Sequence, residues 1–319
     1  MISKNQIKFV KQLEMKKYRQ REGLFVAEGP KVVGDLLHAG YIPHALFATE
    51  EWIQHQHSQL PQHSQLPQSP QNSQHSQSPQ HSQSPQHSQS PQHSQSPQSS
   101  QHSQSPQSSQ QSQPSPTLVT PDELRKLSFL QHPQQVLAVF PHPSFLSSHL
   151  SPLTSHPSSH LTSHPSSLTL ALDDIQDPGN LGTIIRIADW FGIDSVVCSY
   201  DTADAWSPKV VQATMGSIAR VNIVYTDLKE YLSHATIPIC GTLLDGDNIY
   251  AQELPREAII VMGNEGNGIS PAIRPLVTHR LLIPQFRPGA ESLNVAIATA
   301  ITCSEFRRSA GQQLHEGNI

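Results

Sequence analysis

The sequence predicts an α/β protein, with a parallel sheet covered by helices on both faces in its second half and a smaller α/β unit ahead of it. Three observations predict this. From Leu168 onward, short and nearly continuous apolar runs alternate with helical segments, the pattern of parallel strands buried on both faces. Three polar turns follow such strands: Asp177-Pro178-Gly179-Asn180, Gly263-Asn264-Glu265-Gly266-Asn267-Gly268, and Leu282-Ile283-Pro284 leading into Ser292-Leu293-Asn294. Polar groups where a strand stops and a helix starts occupy the position at which open α/β sheets bind ligands. Before Leu168, strand-like and helix-like segments again alternate, over a length that suits one small domain.

In chain order, Lys4 to Tyr18 carries a helical pattern, with Ile7, Val10, Leu13 and Met15 among lysines. Strand-like Gly23 to Ala27, a helix over Pro30 to Ala39 and apolar Ala45 to Ala48 come next. Residues 55–116 are almost entirely Gln, Ser, His and Pro, much of them a degenerate His-Ser-Gln-Ser-Pro-Gln hexad. A segment with so little to bury cannot offset its ordering entropy, so disorder is expected, and its histidines read as incidental to the repeat. Beyond it, Thr120-Pro121-Asp122-Glu123 is a capped helix start and Gln135 to Val139 is strand-like. Neither flank has enough elements for a core alone. The tract therefore interrupts one small domain, residues 1–140, and lengthening a surface loop from ~6 to ~60 residues costs only ~2 kcal/mol of closure entropy. A second low-complexity tract, 141–167, reads as a disordered linker. The larger domain spans 168–309, followed by a tail at 310–319. Its strands are expected at Leu168–Leu172, Ser195–Cys198, Val221–Tyr225, Ile237–Leu244, Ala258–Met262 and Arg280–Pro284. Its helices are expected at Leu181–Phe191, Ser207–Ser217, Leu228–His234, Pro271–Val277 and Leu293–Arg308.

Composition narrows the function. The net charge of −5 over 319 residues excludes a uniformly basic nucleic-acid binder. Positive charge is nevertheless concentrated in the first residues, where Lys4, Lys8, Lys16, Lys17, Arg19 and Arg21 form an arm able to meet RNA phosphates, or a merely solvated helix face. Cys198, Cys240 and Cys303 lie far apart in apolar surroundings, which predicts reduced core residues and no metal site. Met1 to Gln20 is charged throughout and no run of ~20 apolar residues is present, so neither a secretory leader nor a membrane span is expected, and the location expected is cytoplasmic.

The three turns carry the chemistry. Asn180 can accept amide hydrogen bonds at a helix start, with Arg186 six residues on; the plain alternative is an N-cap and an exposed helical arginine. Gly263, Gly266 and Gly268 surround Glu265 directly after a buried strand, allowing close backbone approach to a ligand, or leaving Glu265 to cap the following helix. Their spacing fits neither a dinucleotide nor a P-loop fingerprint. Ser292 is a natural N-cap, whereas Asn294, a poor helix former, sits where amide donors converge.

All three segments in this order resemble the motifs of the SpoU/TrmH family of RNA ribose 2′-O-methyltransferases, in the SPOUT superfamily; the resemblance covers Leu168 to about Arg308. Lys16-Lys17-Tyr18-Arg19 with Glu22 to Gly29 is similar to the family's small N-terminal RNA-binding domain of ribosomal-protein L30e type. The resemblance implies a C-terminal trefoil knot, bent S-adenosylmethionine held in the knotted loops, and methylation of a ribose 2′-hydroxyl in structured ribosomal or transfer RNA. By position it implies cofactor contacts at Leu243, Leu244, Met262, Gly263, Ile283, Pro284, Ser292 and Leu293. The catalytic set it implies is Asn180, Arg186, Glu265, Ser292 and Asn294, with Glu265 fixing Arg186 or the loop. It also implies a homodimer through the knotted domain, with the helices over Leu181–Phe191 and Val295–Phe306 as candidate contacts. A guanidinium is a reluctant base, so Arg186 is expected to hold a phosphate and stabilise the developing alkoxide. The competing reading is an inactive RNA-binding member acting in RNA or ribosome maturation.

Overall fold

The computed structural model describes residues 1–59, 115–143, 167–287, 289 and 292–316, so most of both low-complexity tracts lies outside the described residues. At their margins the structure differs from expectation. A helix over Glu50–Gln59 runs into the first tract, and Pro141 closes a strand.

The N-terminal segment holds α1 (Lys4–Gln12), α2 (Lys16–Glu22), β1 (Leu24–Glu28), α3 (Pro30–His38), β2 (Ala45–Ala48), α4 (Glu50–Gln59), β3 (Thr117–Leu118), α5 (Pro121–Leu127) and β4 (Val136–Pro141). The single helix expected over Lys4–Tyr18 is two, because α1 ends at Leu13 and the chain turns before Met15 starts α2. Gly23, at φ 63°, then ends α2 in the left-handed region that glycine enters without a Cβ clash. Ser3 with Gln6, and Thr120 with Glu123, form reciprocal capping boxes at α1 and α5. The sheet order is β1-β4-β2-β3. β2, from before residue 60, pairs with both β3 and β4, from after residue 114. The two flanks thus share one sheet.

From residue 168 the elements are β5 (Leu168–Asp173), α6 (Pro178–Trp190), β6 (Ser195–Ser199), α7 (Pro208–Ala213), β7 (Asn222–Thr226), α8 (Leu228–Ser233), β8 (Ile239–Asn248), β9 (Ala258–Gly263), β10 (His279–Leu282) and α9 (Val295–Glu316). All neighbouring strands are parallel, in the order β10-β8-β9-β5-β6-β7. The predicted helix at Pro271–Val277 is only a 3-10 turn at Arg274–Leu276, since Pro275 leaves no amide for a longer helix. α9 begins two residues later than expected and continues to Glu316, through part of the predicted tail. The three cysteines are buried and free, their thiols pushed up to about 12 by desolvation. Among the described residues no helix is long and apolar enough to cross a membrane, and no cluster of His, Cys, Asp or Glu could hold a metal.

Phe25 and Val33 of the N-terminal segment belong to the same buried cluster as Leu170, Ile184 and Ile260. Phe25 meets Trp206 with ring centroids 4.8 Å apart. Two ion-pair groups flank this apolar contact. Arg19, 4% exposed, reaches Asp204 at 2.5 Å and donates to the carbonyls of Leu13 and Glu14. Arg220 joins Asp35 at 2.9 Å to Asp189 at 2.7 Å. Desolvation would raise the pKa of both carboxyls, but the hydrogen bonds from Arg220, and from Lys31 to Asp35, outweigh it and hold both below the usual range.

Gly182 marks the tightest helix contact beside the site. A Cβ there would lie 2.4 Å from the Ala213 Cβ and 2.9 Å from the Val210 carbonyl, so α6 and α7 meet through bare backbone. Gly182→Ala is expected to destabilise the protein by about 1–3 kcal/mol through overpacking; urea denaturation checks this, and an unchanged midpoint would contradict the contact.

Candidate active site at the carboxyl edge of the sheet

Strands β8, β9 and β5 are neighbours, and the turns leaving their carboxyl ends converge. Asp173 at the end of β5 accepts the Ser270 amide at 2.7 Å, and the Asn264 side chain donates to the Asp174 carbonyl at 2.8 Å. Asn264 and Gly268 form an antiparallel bridge, with Gly268 at φ 68°. A Cβ on Gly263 would lie 2.2 Å from the Gly268 carbonyl carbon, so only glycine allows this turn to fold back so tightly. The Asn264 side-chain oxygen accepts the amides of Gly266 and Asn267 at 2.9 and 3.0 Å, which presents Glu265 at the turn's tip.

Glu265 does not cap a helix. Its carboxylate accepts the amides of Gln176 and Asp177, each at 3.3 Å, and the Asn180 Nδ2 at 3.0 Å. Asn180 is not the cap of α6 either. That role falls to Asp177, whose Oδ1 accepts the Asn180 amide at 2.8 Å. Asn180 is thus left to bridge: its Oδ1 accepts the Asn294 Nδ2 at 3.0 Å while its own amide donates to Glu265. Asn294, rather than Ser292, stands at the start of α9, its Oδ1 accepting the amides of Ala296 and Ile297 at 3.0 and 3.2 Å. One continuous hydrogen-bonded chain, Asn294 to Asn180 to Glu265, therefore spans all three predicted turns.

Arg186 is exposed on α6, two turns beyond Asn180, and its side chain makes no ion pair or hydrogen bond among the described residues. Glu265 accordingly fixes the Asp177 loop and not Arg186. Ser292 is exposed, on the segment leading into α9. Of the basic arm, Lys4, Lys8, Lys16, Lys17 and Arg21 lie on the surface, whereas Arg19 is withdrawn into its buried pair with Asp204. Charge-counting could not separate it from its neighbours.

The expected cofactor positions fall at the same end of three adjacent strands: Leu243 and Leu244 on β8, Met262 and Gly263 on β9, and Ile283 and Pro284 just past β10. The β8–β10 register jumps from Arg280↔Gly241 to Leu281↔Asp247, so Thr242 to Gly246 make an excursion from the ladder. Gly246 lies against the β10 backbone there, where a Cβ would be 2.8 Å from the Leu281 carbonyl carbon. At the excursion's crest Leu244 is 81% exposed, and Leu293 is also exposed. Exposed leucines beside glycine turns suit an amphipathic ligand with an apolar ring face and polar edges. Met262 is buried, its sulfur accepting from the Thr242 hydroxyl at 3.7 Å, so only its backbone is placed to serve a ligand.

Asp177, Asn264 and Gly246 were missed by the sequence reading. Asp177 was signalled by the proline after it, since proline at the first helical position follows an N-cap. The other two depend on contacts across strands and have no local signature.

Comparison with known proteins agrees with this geometry. The SpoU rRNA Methylase family matches residues 167–304, and the MRM3-like substrate binding domain matches residues 4–78. The chain is 38% identical over 143 residues to the 23S rRNA (guanosine(2553)-2′-O)-methyltransferase RlmP of Bacillus subtilis, a match covering 43% of this chain and 57% of that protein. The chain thus spans little more than half the length of that relative. A solved TrmH-family structure from Porphyromonas gingivalis is 35% identical with a TM-score of 0.67, covering 97% of this chain and 99% of that one. A rRNA methyltransferase from Sinorhizobium meliloti, solved with S-adenosylmethionine bound, shares the fold at 24% identity and TM-score 0.67, covering 97% of this chain and 96% of that one. The class that the fold and its carboxyl-edge turns define is the parallel α/β domain of SPOUT type. Within that class, the chain belongs to the SpoU/TrmH family.

The Glu265 carboxyl is desolvated, which opposes ionisation, but hydrogen bonds from Asn180 and the loop amides outweigh this and hold its pKa below the usual carboxylate range. Its stabilising contribution is therefore complete above the ordinary glutamate value and lost as pH falls through the lower folded value. Glu265→Gln is expected to cost roughly 0.5–1.5 kcal/mol at pH 7, the ordinary hydrogen-bond range, because the group is part-exposed. The gap between native and variant should narrow as the pH falls below the ordinary glutamate value and through the lower folded one; denaturation at neutral and at acid pH tests this, and a pH-independent difference would contradict the charge-assisted anchor.

Proposed function

We propose that the protein methylates the 2′-hydroxyl of a ribose in structured ribosomal or transfer RNA, using S-adenosylmethionine. The observation that carries this reading is the hydrogen-bonded chain from Asn294 through Asn180 to Glu265, set beside the exposed Leu244 and Leu293. Leu243, Leu244, Ile283, Pro284, Ser292 and Leu293 would hold the cofactor, with the backbone of Met262 and Gly263. When bound, S-adenosylmethionine supplies an electrophilic methyl group.

Residues of this chain position and activate the hydroxyl. Asn180 and Asn294 are pinned to each other and to Glu265, so their remaining hydrogen-bonding capacity faces a sugar without reorganising. Such positioning is worth up to ~7–11 kcal/mol of a barrier. Glu265 acts at one remove, anchoring the Asp177 loop. Arg186 is left without a partner carboxylate among the described residues and stays available to a phosphate and to the alkoxide developing at the ribose oxygen. Ser292 orients the ribose from the opposite loop. The exposed Lys4, Lys8, Lys16, Lys17 and Arg21 meet the RNA backbone, while the buried Arg19 holds the protein together.

The same reading divides the chain into a small substrate-binding domain of L30e type at 1–140 and a methyltransferase domain from 168. It threads the turns around β9 and β10 into a trefoil knot, and it makes the protein a cytoplasmic homodimer. Supporting a dimer, Trp190 on α6 is 84% exposed and Ile297 on the adjacent α9 is 51% exposed. The inactive alternative gains nothing from a site in which every motif position is intact.

The deciding experiment incubates the full chain with labelled S-adenosylmethionine and total RNA from a strain lacking the gene, then maps the label. A 2′-O-methyl nucleoside is expected; label on a base, or none, would overturn the reading. Arg186→Lys should bind S-adenosylmethionine as the native protein does in calorimetry yet lose about 100-fold or more in transfer, since a point charge replaces a planar fork. Near-native turnover would remove Arg186 from the mechanism.

A further inference from the structure

A cavity of about 370 Å³ lies along the carboxyl edge of the larger sheet, beside the candidate active site but outside it. Its walls come from both halves of the chain: Lys16, Gln20 and Gly23 from α2 and its cap, and Tyr200, Trp206 and Tyr225 from the turns and end of β6 and β7, with His142 at the end of β4. Four aromatic rings therefore surround it. Tyr200 is 66% exposed at the mouth, and Trp206 is 6% exposed at the wall, its ring 4.6 Å from that of His142. Desolvation lowers the His142 pKa, with Asp204 opposing this and Arg19 adding to it. The polar groups of the wall are committed elsewhere. The Tyr225 hydroxyl donates to the Ala203 carbonyl and accepts the Ala205 amide, and Arg19 is locked to Asp204.

The cavity is wired to the candidate active-site loop. The Asp174 amide donates to the Ser199 hydroxyl at 2.9 Å, the Thr202 hydroxyl to the Leu172 carbonyl at 3.2 Å, and the Ala203 amide to the Ile175 carbonyl at 2.8 Å. The turn that carries Tyr200 and Trp206 is thus fixed to the turn that carries Asp177 and Asn180. Strands β5, β6 and β7 are consecutive in the sheet, so the turns that line the cavity and the turn that carries Asp177 leave neighbouring strands at one edge.

We propose that this cavity is a second RNA subsite, which receives an unstacked nucleobase neighbouring the methylated nucleotide. It rests on the RNA-methylating function proposed above. Tyr200 stacks on the base, Trp206 and His142 form the wall behind it, Gln20 offers a hydrogen bond to the base edge, and Lys16, exposed at the rim, meets its phosphate. Aromatic faces beside a lysine are the chemistry by which proteins hold single-stranded bases, whereas a duplex would not enter a cavity of this size. The subsite explains why the buried Arg19–Asp204 pair is found here: it fixes α2 against the turn after β6 and so sets the cavity's width.

The test uses the full chain and a fluorescein-labelled single-stranded decamer of mixed sequence, followed by anisotropy, with S-adenosylmethionine affinity measured in parallel. Tyr200→Ala should weaken decamer binding about tenfold and Tyr200→Phe should restore it, both with unchanged cofactor affinity. Lys16→Ala should lower the slope of log affinity against log salt by about one. Decamer binding unaffected by Tyr200→Ala, in a protein that still methylates RNA, would overturn the subsite while leaving the function intact. Equal loss in Tyr200→Ala and Tyr200→Phe would overturn stacking as its basis. A native protein that neither binds nor methylates RNA would overturn both readings.

Discussion

The site depends on one carboxylate. Glu265 stands between two turns that have no covalent reason to meet, and its oxygens collect the amides of Gln176 and Asp177 together with the Asn180 side chain. Without it, three donors at the edge of the sheet would lack their acceptor, and Asn180 would lose the contact that orients it toward Asn294. The anchor works because the Asn264 turn is itself rigid. Two backbone hydrogen bonds between Asn264 and Gly268, and the absence of a Cβ at Gly263, leave Glu265 almost no freedom of position.

A comparable division of labour joins the two sheets. The contact of Phe25 with Trp206 supplies apolar burial at this junction. The ion pairs on either side supply direction, because Arg19 and Arg220 each engage fixed carboxylates in the other half. The Arg19–Asp204 pair, with its guanidinium buried, adds little net stability over apolar packing but penalises misplacement heavily, whereas Arg220 is half-exposed. The N-terminal helices are thereby held in register with the carboxyl edge of the larger sheet, where the turns that matter chemically are found.

Much of this was legible in the sequence, and the parts that were not have a common cause. Six apolar runs announced the six strands of the larger sheet, most strongly the central β5 and β9, which are buried nearly throughout, and less so the edge strands β7 and β10, which are part-exposed. The meeting of Asn180, Glu265 and Asn294 followed from motif order through the family resemblance. Their hydrogen-bonding roles did not. Asn180 and Ser292 looked like helix caps by local preference, yet Asp177 and Asn294 took those positions, which left Asn180 to bridge Glu265 and Asn294. Arg19 counted as one more surface charge until tertiary contact with Asp204, 185 residues away, withdrew it from solvent. The helix expected at Pro271–Val277 shortened because Pro275 overrode the apolar pattern.

The strand pairing around residues 60–114 has a genetic consequence. β2 pairs with β3 and β4 by backbone register, and none of those contacts counts how many residues intervene. In-frame gain or loss of whole hexads between β2 and β3 would therefore alter the stability of the sheet little, since loop closure depends only logarithmically on length.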